Sequence, residues 1–145
     1  MVTKKLCSSL VVPLIVVLTL LVAGCSREKR EPVAPAAGKI QWDGKPLAEA
    51  TVVFHRLEGE GRSLTVRTLN DGTFRLTTHE PNDGAPPGRY AVTVELRDWV
   101  RDGDEAVRSG RNLLPPKYAS PRTSGLECVI AEGDNQLPVW NLSSR

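Results

Sequence analysis

Tyr90-Ala91-Val92-Thr93-Val94-Glu95-Leu96-Arg97 alternates apolar and polar side chains along its length. Successive side chains of an extended strand point to opposite faces. Tyr90, Val92, Val94 and Leu96 therefore form one stripe for a core, and Ala91, Thr93, Glu95 and Arg97 face the other way. The Tyr90 ring is expected to pack inside with its hydroxyl at the rim. The same period of two recurs on both sides. It runs through 38–42, 48–56, 64–67 and 73–77 before this stripe, and through 126–130 and 136–142 after it. Asn70-Asp71-Gly72 separates two of these runs and is a tight-turn signal. Pro138 assigns the last run to a sheet edge, because proline cannot donate to a central ladder.

No segment of the body carries a helical stripe. Seven short alternating runs predict an all-β fold, a sandwich of two packed sheets. Two intervals break the pattern. Residues 78–88 (THEPNDGAPPG) are polar and rich in Gly and Pro, and residues 98–121 are expected to form a long loop. A loop of that length in a compact domain is functional or mobile.

The chain has 145 residues, 25% charged and 40% apolar, ordinary values for a folded soluble domain. Its start differs from the rest. Lys4 and Lys5 precede the apolar run LVVPLIVVLTLLV at 10–22, which ends in Val22-Ala23-Gly24-Cys25. Basic, apolar, then small residues is the order of a secretory signal. The apolar run is shorter than the roughly 20 residues a spanning helix needs. An uncleaved anchor over 6–24 is the alternative, opposed by Pro13, Gly24 and the position of the cysteine. Lys4 and Lys5 also account for the excess of 19 basic over 17 acidic side chains, so the body is neutral. A nucleic-acid binder needs a cationic surplus, and that class is set aside.

Leu21-Val22-Ala23-Gly24-Cys25 resembles the lipobox of bacterial lipoproteins. The resemblance implies cleavage between Gly24 and Cys25, a diacylglycerol on the Cys25 thiol and often an acyl chain on the new amine. Two or three chains suffice for stable anchoring where one is marginal. The implied partner is a membrane, through the N-terminal lipid, and the implied location is the cell envelope. Ser26, not being Asp, favours the outer membrane, facing periplasm or exterior. The expected organisation is a signal peptide at 1–24, an acylated cysteine with a flexible, solvated tether at 25–37, and the sandwich at 38–145. With Cys7 in the leader and Cys25 acylated, Cys128 has no disulfide partner.

A second resemblance covers the body. Trp42-Asp43-Gly44-Lys45-Pro46-Leu47, Asn70-Asp71-Gly72-Thr73-Phe74-Arg75-Leu76, Asp83-Gly84-Ala85-Pro86-Pro87-Gly88-Arg89-Tyr90 and Pro116-Lys117-Tyr118…Ser124-Gly125-Leu126 stand in order. They resemble the carboxypeptidase regulatory-like, or transthyretin-like, β-sandwich domain carried by short bacterial lipoproteins. The resemblance implies a seven-stranded Greek-key β-sandwich of the transthyretin-like or immunoglobulin-like type, and no peptidase chemistry. The motifs are also what turns and packing require, with glycines for positive φ and Pro46 at a strand start.

The search for chemistry yields little. His55 and His79 lie far from a second His or a Cys at metal-ligand spacing, and read as solvated residues at strand ends. There is no Gly-x-Ser-x-Gly elbow. Cys128 shares a stripe with Leu126 and Ile130 and is expected to be buried and inert. Asp71, Asp83 and Asp102-Gly103-Asp104-Glu105 read as turn residues, lacking the spacing of a calcium loop. No catalytic residue, metal or cofactor is expected. Trp99, Tyr118 and Trp140 are the candidate ligand contacts, able to stack on a sugar or peptide, though core packing is the commoner fate of such rings. The preferred reading is a non-enzymatic, lipid-anchored structural or binding module, with an envelope protein or a glycan as candidate partner. The alternatives are a carbohydrate- or peptide-binding module using 98–121 and a periplasmic enzyme with an unsignalled site.

Overall fold

A computed structural model describes residues 30–59 and 61–144. The leader, the cleavage site and Cys25 lie outside the described residues. From Glu31 onward the chain belongs to one unit.

The described residues form ten strands: β1 (Ala36–Trp42), β2 (Lys45–Pro46), β3 (Thr51–Arg56), β4 (Leu64–Arg67), β5 (Thr73–Arg75), β6 (Gly88–Glu95), β7 (Arg97–Asp102), β8 (Glu105–Asn112), β9 (Leu126–Ile130) and β10 (Asn135–Leu142). One four-stranded sheet has the order β10-β1-β2, with β5 also on β1, and the other the order β4-β3-β6-β9. β7 and β8 make a separate two-stranded ribbon. All seven expected runs are strands. The count of seven is corrected by β2, which is too short to show a period, and by the ribbon.

The core face of the alternation holds, while Ala91 and Thr93 on the opposite face of β6 are buried as well. Tyr90, Val92 and Val94 of β6 face Phe54, Phe74, Ile40 and Leu142 in a core that excludes water. Phe54 holds that core together: Phe74, Trp140 and Tyr90 ring it at centroid distances of 5.7, 6.1 and 6.3 Å. Trp140 stacks on Phe74 at 6.2 Å with 5° between planes. The Tyr90 hydroxyl donates to the Pro86 carbonyl at 2.8 Å, so it is satisfied inside, and the residue is 1% exposed.

β10 lies parallel to β1, at the sheet edge that Pro138 requires. The register shifts between Ala37 and Lys39, where the chain around Pro138 passes Gly38. That bulge turns Leu137 and Trp140 both inward. Trp140 therefore belongs to the core instead of an open edge.

Of the tether expected over 25–37, the described residues from Glu31 lie on the sandwich. Ala34 and Ala36 are buried core residues, and β1 starts at Ala36. Ala34 bridges Ala85 through reciprocal backbone bonds of 2.9 and 3.0 Å. Gly84 makes this approach feasible: its φ is +103°, and a Cβ there would sit 1.8 Å from the Ala34 carbonyl oxygen. Further out, Arg56 Nη1 donates to Glu31 Oε1 at 2.7 Å. His79 Nε2 lies 3.2 Å from the Glu31 carbonyl oxygen. The chain is thus held on the sandwich from Glu31 onward. Small alanines look solvated in sequence, but a strand squeezed against a neighbouring backbone needs them.

Candidate functional site

The interval 98–121 is not one long loop, because most of it is a strand hairpin. Arg97–Asp102 and Glu105–Asn112 pair as an antiparallel hairpin closed by Gly103 and Asp104, with Gly103 at φ +63°. Glycine at the first central position is one requirement of the two-residue hairpin turns that match strand twist. Every residue of β7 is exposed, so neither face has a core to report and the alternation vanishes. A lone two-stranded hairpin is marginal in water. This one is braced at its base. Asn112 Oδ1 accepts from Leu96 N (3.1 Å) and Leu114 N (3.2 Å), and Leu113 N donates to the Leu96 carbonyl at 2.7 Å. Arg97 pairs with Glu95 at 2.7 Å.

Trp99 stands on this ribbon opposite Arg108 and is 52% exposed, with Val100 beside it. The Arg108 guanidinium lies 4.6 Å from the Trp99 ring centroid. Arg108 Nε donates to Glu49 Oε2 at 3.0 Å, and Arg108 Nη1 donates to the Arg97 carbonyl at 2.8 Å. Arg108 thus covers one region of the indole and ties the ribbon to the body. Such a cation–π pair contributes about 0.5–1 kcal/mol at an exposed site.

The other two candidate contacts are placed differently. Tyr118, in a 3₁₀ turn (Pro116–Ala119), is buried, and its hydroxyl accepts from Ser143 N at 2.9 Å. It binds the C-terminal segment to the body. Trp140 stacks in the core. The structure does not bring the three aromatics together, and of them only Trp99 offers ring surface to a ligand.

The remaining candidates resolve into local roles. Asp83 accepts from the backbone N–H groups of Thr78 (2.7 Å), His79 and Glu80 (both 2.9 Å) and shapes the 78–83 turn. Burial raises its carboxyl pKa, yet those three donors and the His79 charge together hold it below the usual carboxylate range. Asp71 accepts from the Thr73 hydroxyl (2.6 Å) and amide (3.0 Å), which lowers its pKa as well. His55 is half-buried within β3, its two ring nitrogens 3.0 Å from Thr93 Oγ1 and 3.3 Å from Ser63 Oγ. It is a bridging residue of the sheet face and not a freely solvated one. Cys128 is buried, and burial pushes its thiol up to about 11. Among the described residues no three His, Cys, Asp or Glu side chains gather as a metal site would need.

No family model and no curated protein matches the chain. Solved structures similar to it include two of low identity. One is a DUF3823 family protein from Parabacteroides merdae, at 16% identity and a TM-score of 0.41, covering 79% of this chain and 46% of that one. The other is a 9R-lipoxygenase from Cyanothece, at 12% identity and a TM-score of 0.43, covering 88% of this chain and 20% of that one. The chain therefore spans less than half the length of either.

Proposed function

We propose that this chain is a lipid-anchored, non-enzymatic module of the cell envelope, with a sandwich of the transthyretin-like, Greek-key type. Cys25 carries the lipid after cleavage behind Gly24, and the domain faces the periplasm or exterior from an outer membrane. The run Val22-Ala23-Gly24-Cys25 behind an apolar stretch carries this reading. Metabolic labelling with palmitate tests it. The wild-type chain should be labelled, lose the mass of 1–24 and partition with membranes. A Cys25→Ala variant should do none of these, and one that keeps the mature size and stays on membranes unlabelled overturns the reading.

A binding role is supported by the exposed Trp99–Val100 surface on a ribbon free of the core. A flat ring beside polar groups suits a sugar or an extended peptide. On a glycan and peptide array, Trp99→Ala should remove any captured ligand. Capture that survives this substitution moves the contact elsewhere.

A further inference from the structure

The outer face of the β10-β1-β5 layer holds a hollow of about 590 Å³, a volume typical of small-ligand sites. Register creates it. Arg75 pairs with Ala37 and Thr73 with Lys39, so the two long cationic side chains sit diagonally around the small Ala37 and Thr73. Such diagonal positions are about 7–8 Å apart, within reach of long side chains. Arg67, at the end of β4, closes the hollow from the second sheet. The charged residues lining the hollow are these three cations alone. None of them makes an ion pair with a described residue. Asp71, on which the Lys39 charge acts, and Asp134 border adjoining hollows instead. Glu49 is engaged by Arg108. Like charges held close together repel, and Asp71 acts only on Lys39 from outside the hollow, so Arg67 and Arg75 are left to an incoming anion.

We infer that this hollow binds an anionic saccharide, with Arg75, Arg67 and Lys39 on its acid groups. Guanidinium forks match carboxylate and phosphate oxygens in two-point bonds, and the ammonium acts as a point charge. Asn82, Gln136 and Thr77 supply donors and acceptors for sugar hydroxyls. Leu69 and Val139, 64% and 56% exposed, offer apolar surface to a sugar ring's C–H face. The site lies apart from Trp99 and requires neither the lipid nor the ribbon.

Calorimetry on the purified full chain in non-ionic detergent tests it, separately from membrane partition. The probes are an oligogalacturonate for carboxylate, a phosphorylated oligosaccharide for phosphate, inorganic phosphate and a neutral maltooligosaccharide. One acidic saccharide should bind, more weakly as salt rises, and the neutral one should not. The acidic saccharide that binds identifies the acid group. Arg75→Gln and Lys39→Gln should each weaken it about tenfold, as loss of one charged contact does. Ala37→Leu should abolish binding by filling the floor while every charge stays. Arg101→Gln, on the exposed ribbon, should change nothing. The inference is overturned if neither acidic saccharide binds, if inorganic phosphate binds as well as the saccharides, if Ala37→Leu binds normally, or if Arg101→Gln weakens binding as much as Arg75→Gln.

Discussion

Gly38→Ala tests the packing directly. A Cβ at position 38 would stand 2.5 Å from Phe74 Cζ, 2.9 Å from Phe74 Cε1 and 3.3 Å from Leu137 Cβ. Carbon atoms prefer about 3.5–4.0 Å, so the first overlap is about an ångström or more. Phe74 has little room to yield: it is 2% exposed, stacked flat on Trp140 and tilted against Phe54. Two effects compete. Alanine restricts the unfolded chain and suits a strand better than glycine, a gain of about 0.5–1 kcal/mol. Overpacking a well-filled core costs about 1–3 kcal/mol. The clash wins, and the net loss is roughly 1–2 kcal/mol. A domain near 100 residues shifts its Tm by roughly 4–8 °C per kcal/mol, so thermal melting followed by circular dichroism resolves it. Urea unfolding should show a lower midpoint at an unchanged slope. Trimming the ring should relieve the clash, so Phe74→Leu should cost less in the Gly38→Ala background than alone. If Gly38→Ala melts at or above wild type, the idea that the Phe74 ring is locked is wrong.

Thr68 is 2% exposed, and its hydroxyl donates to the Leu47 carbonyl (2.6 Å) while accepting from Ala50 N (2.9 Å). Thr68→Val keeps the shape and orphans both backbone groups, for an expected loss of about 1–3 kcal/mol in urea unfolding. A loss below the error of the extrapolation would mean that the groups find other partners. Cys128, with its thiol pushed up to about 11, should resist iodoacetamide at mildly alkaline pH in the native chain and react across the urea transition. Peptide mapping reads this, and rapid native labelling contradicts the burial. Asp83 gives a pH signature. Its folded pKa is depressed, so its carboxylate contributes stability that is complete above the unfolded value and lost as pH falls through the folded one. Asp83→Asn should therefore lower Tm by a few degrees at neutral pH, and the gap should close as pH falls below about 4. A gap independent of pH would remove Asp83 from this role.

The strands were legible wherever one face meets a core, because alternation is the trace that one-sided burial leaves. β7 escaped because both its faces are wet, and its signal was the Gly103-Asp104 step between Val100 and Val107. Trp140 was legible as an edge-strand residue but not as a core ring, because the bulge near Pro138 resets the alternation. Tyr118 turns inward through a 3₁₀ turn that carries no period. The cationic hollow depends on which residues of β1 and β5 stand opposite each other. No single segment encodes that pairing, so Lys39, Arg67 and Arg75 do not stand out in the sequence.

The grip of Arg56 on Glu31 acquires a geometric meaning once the lipid is placed on Cys25. Six Cα-to-Cα steps separate Cys25 from Glu31, which at full stretch is about 20 Å. On the proposed anchoring at Cys25, that reach bounds how far Glu31, and the Arg56 and His79 groups that hold it, can stand from the lipid. β6 starts beside Arg56 and Pro87 and runs for 8 residues, or about 26 Å at strand rise, before the ribbon begins. Trp99 therefore follows β6 at the end away from this grip, and the reach of the proposed tether would be counted from the opposite end of that strand.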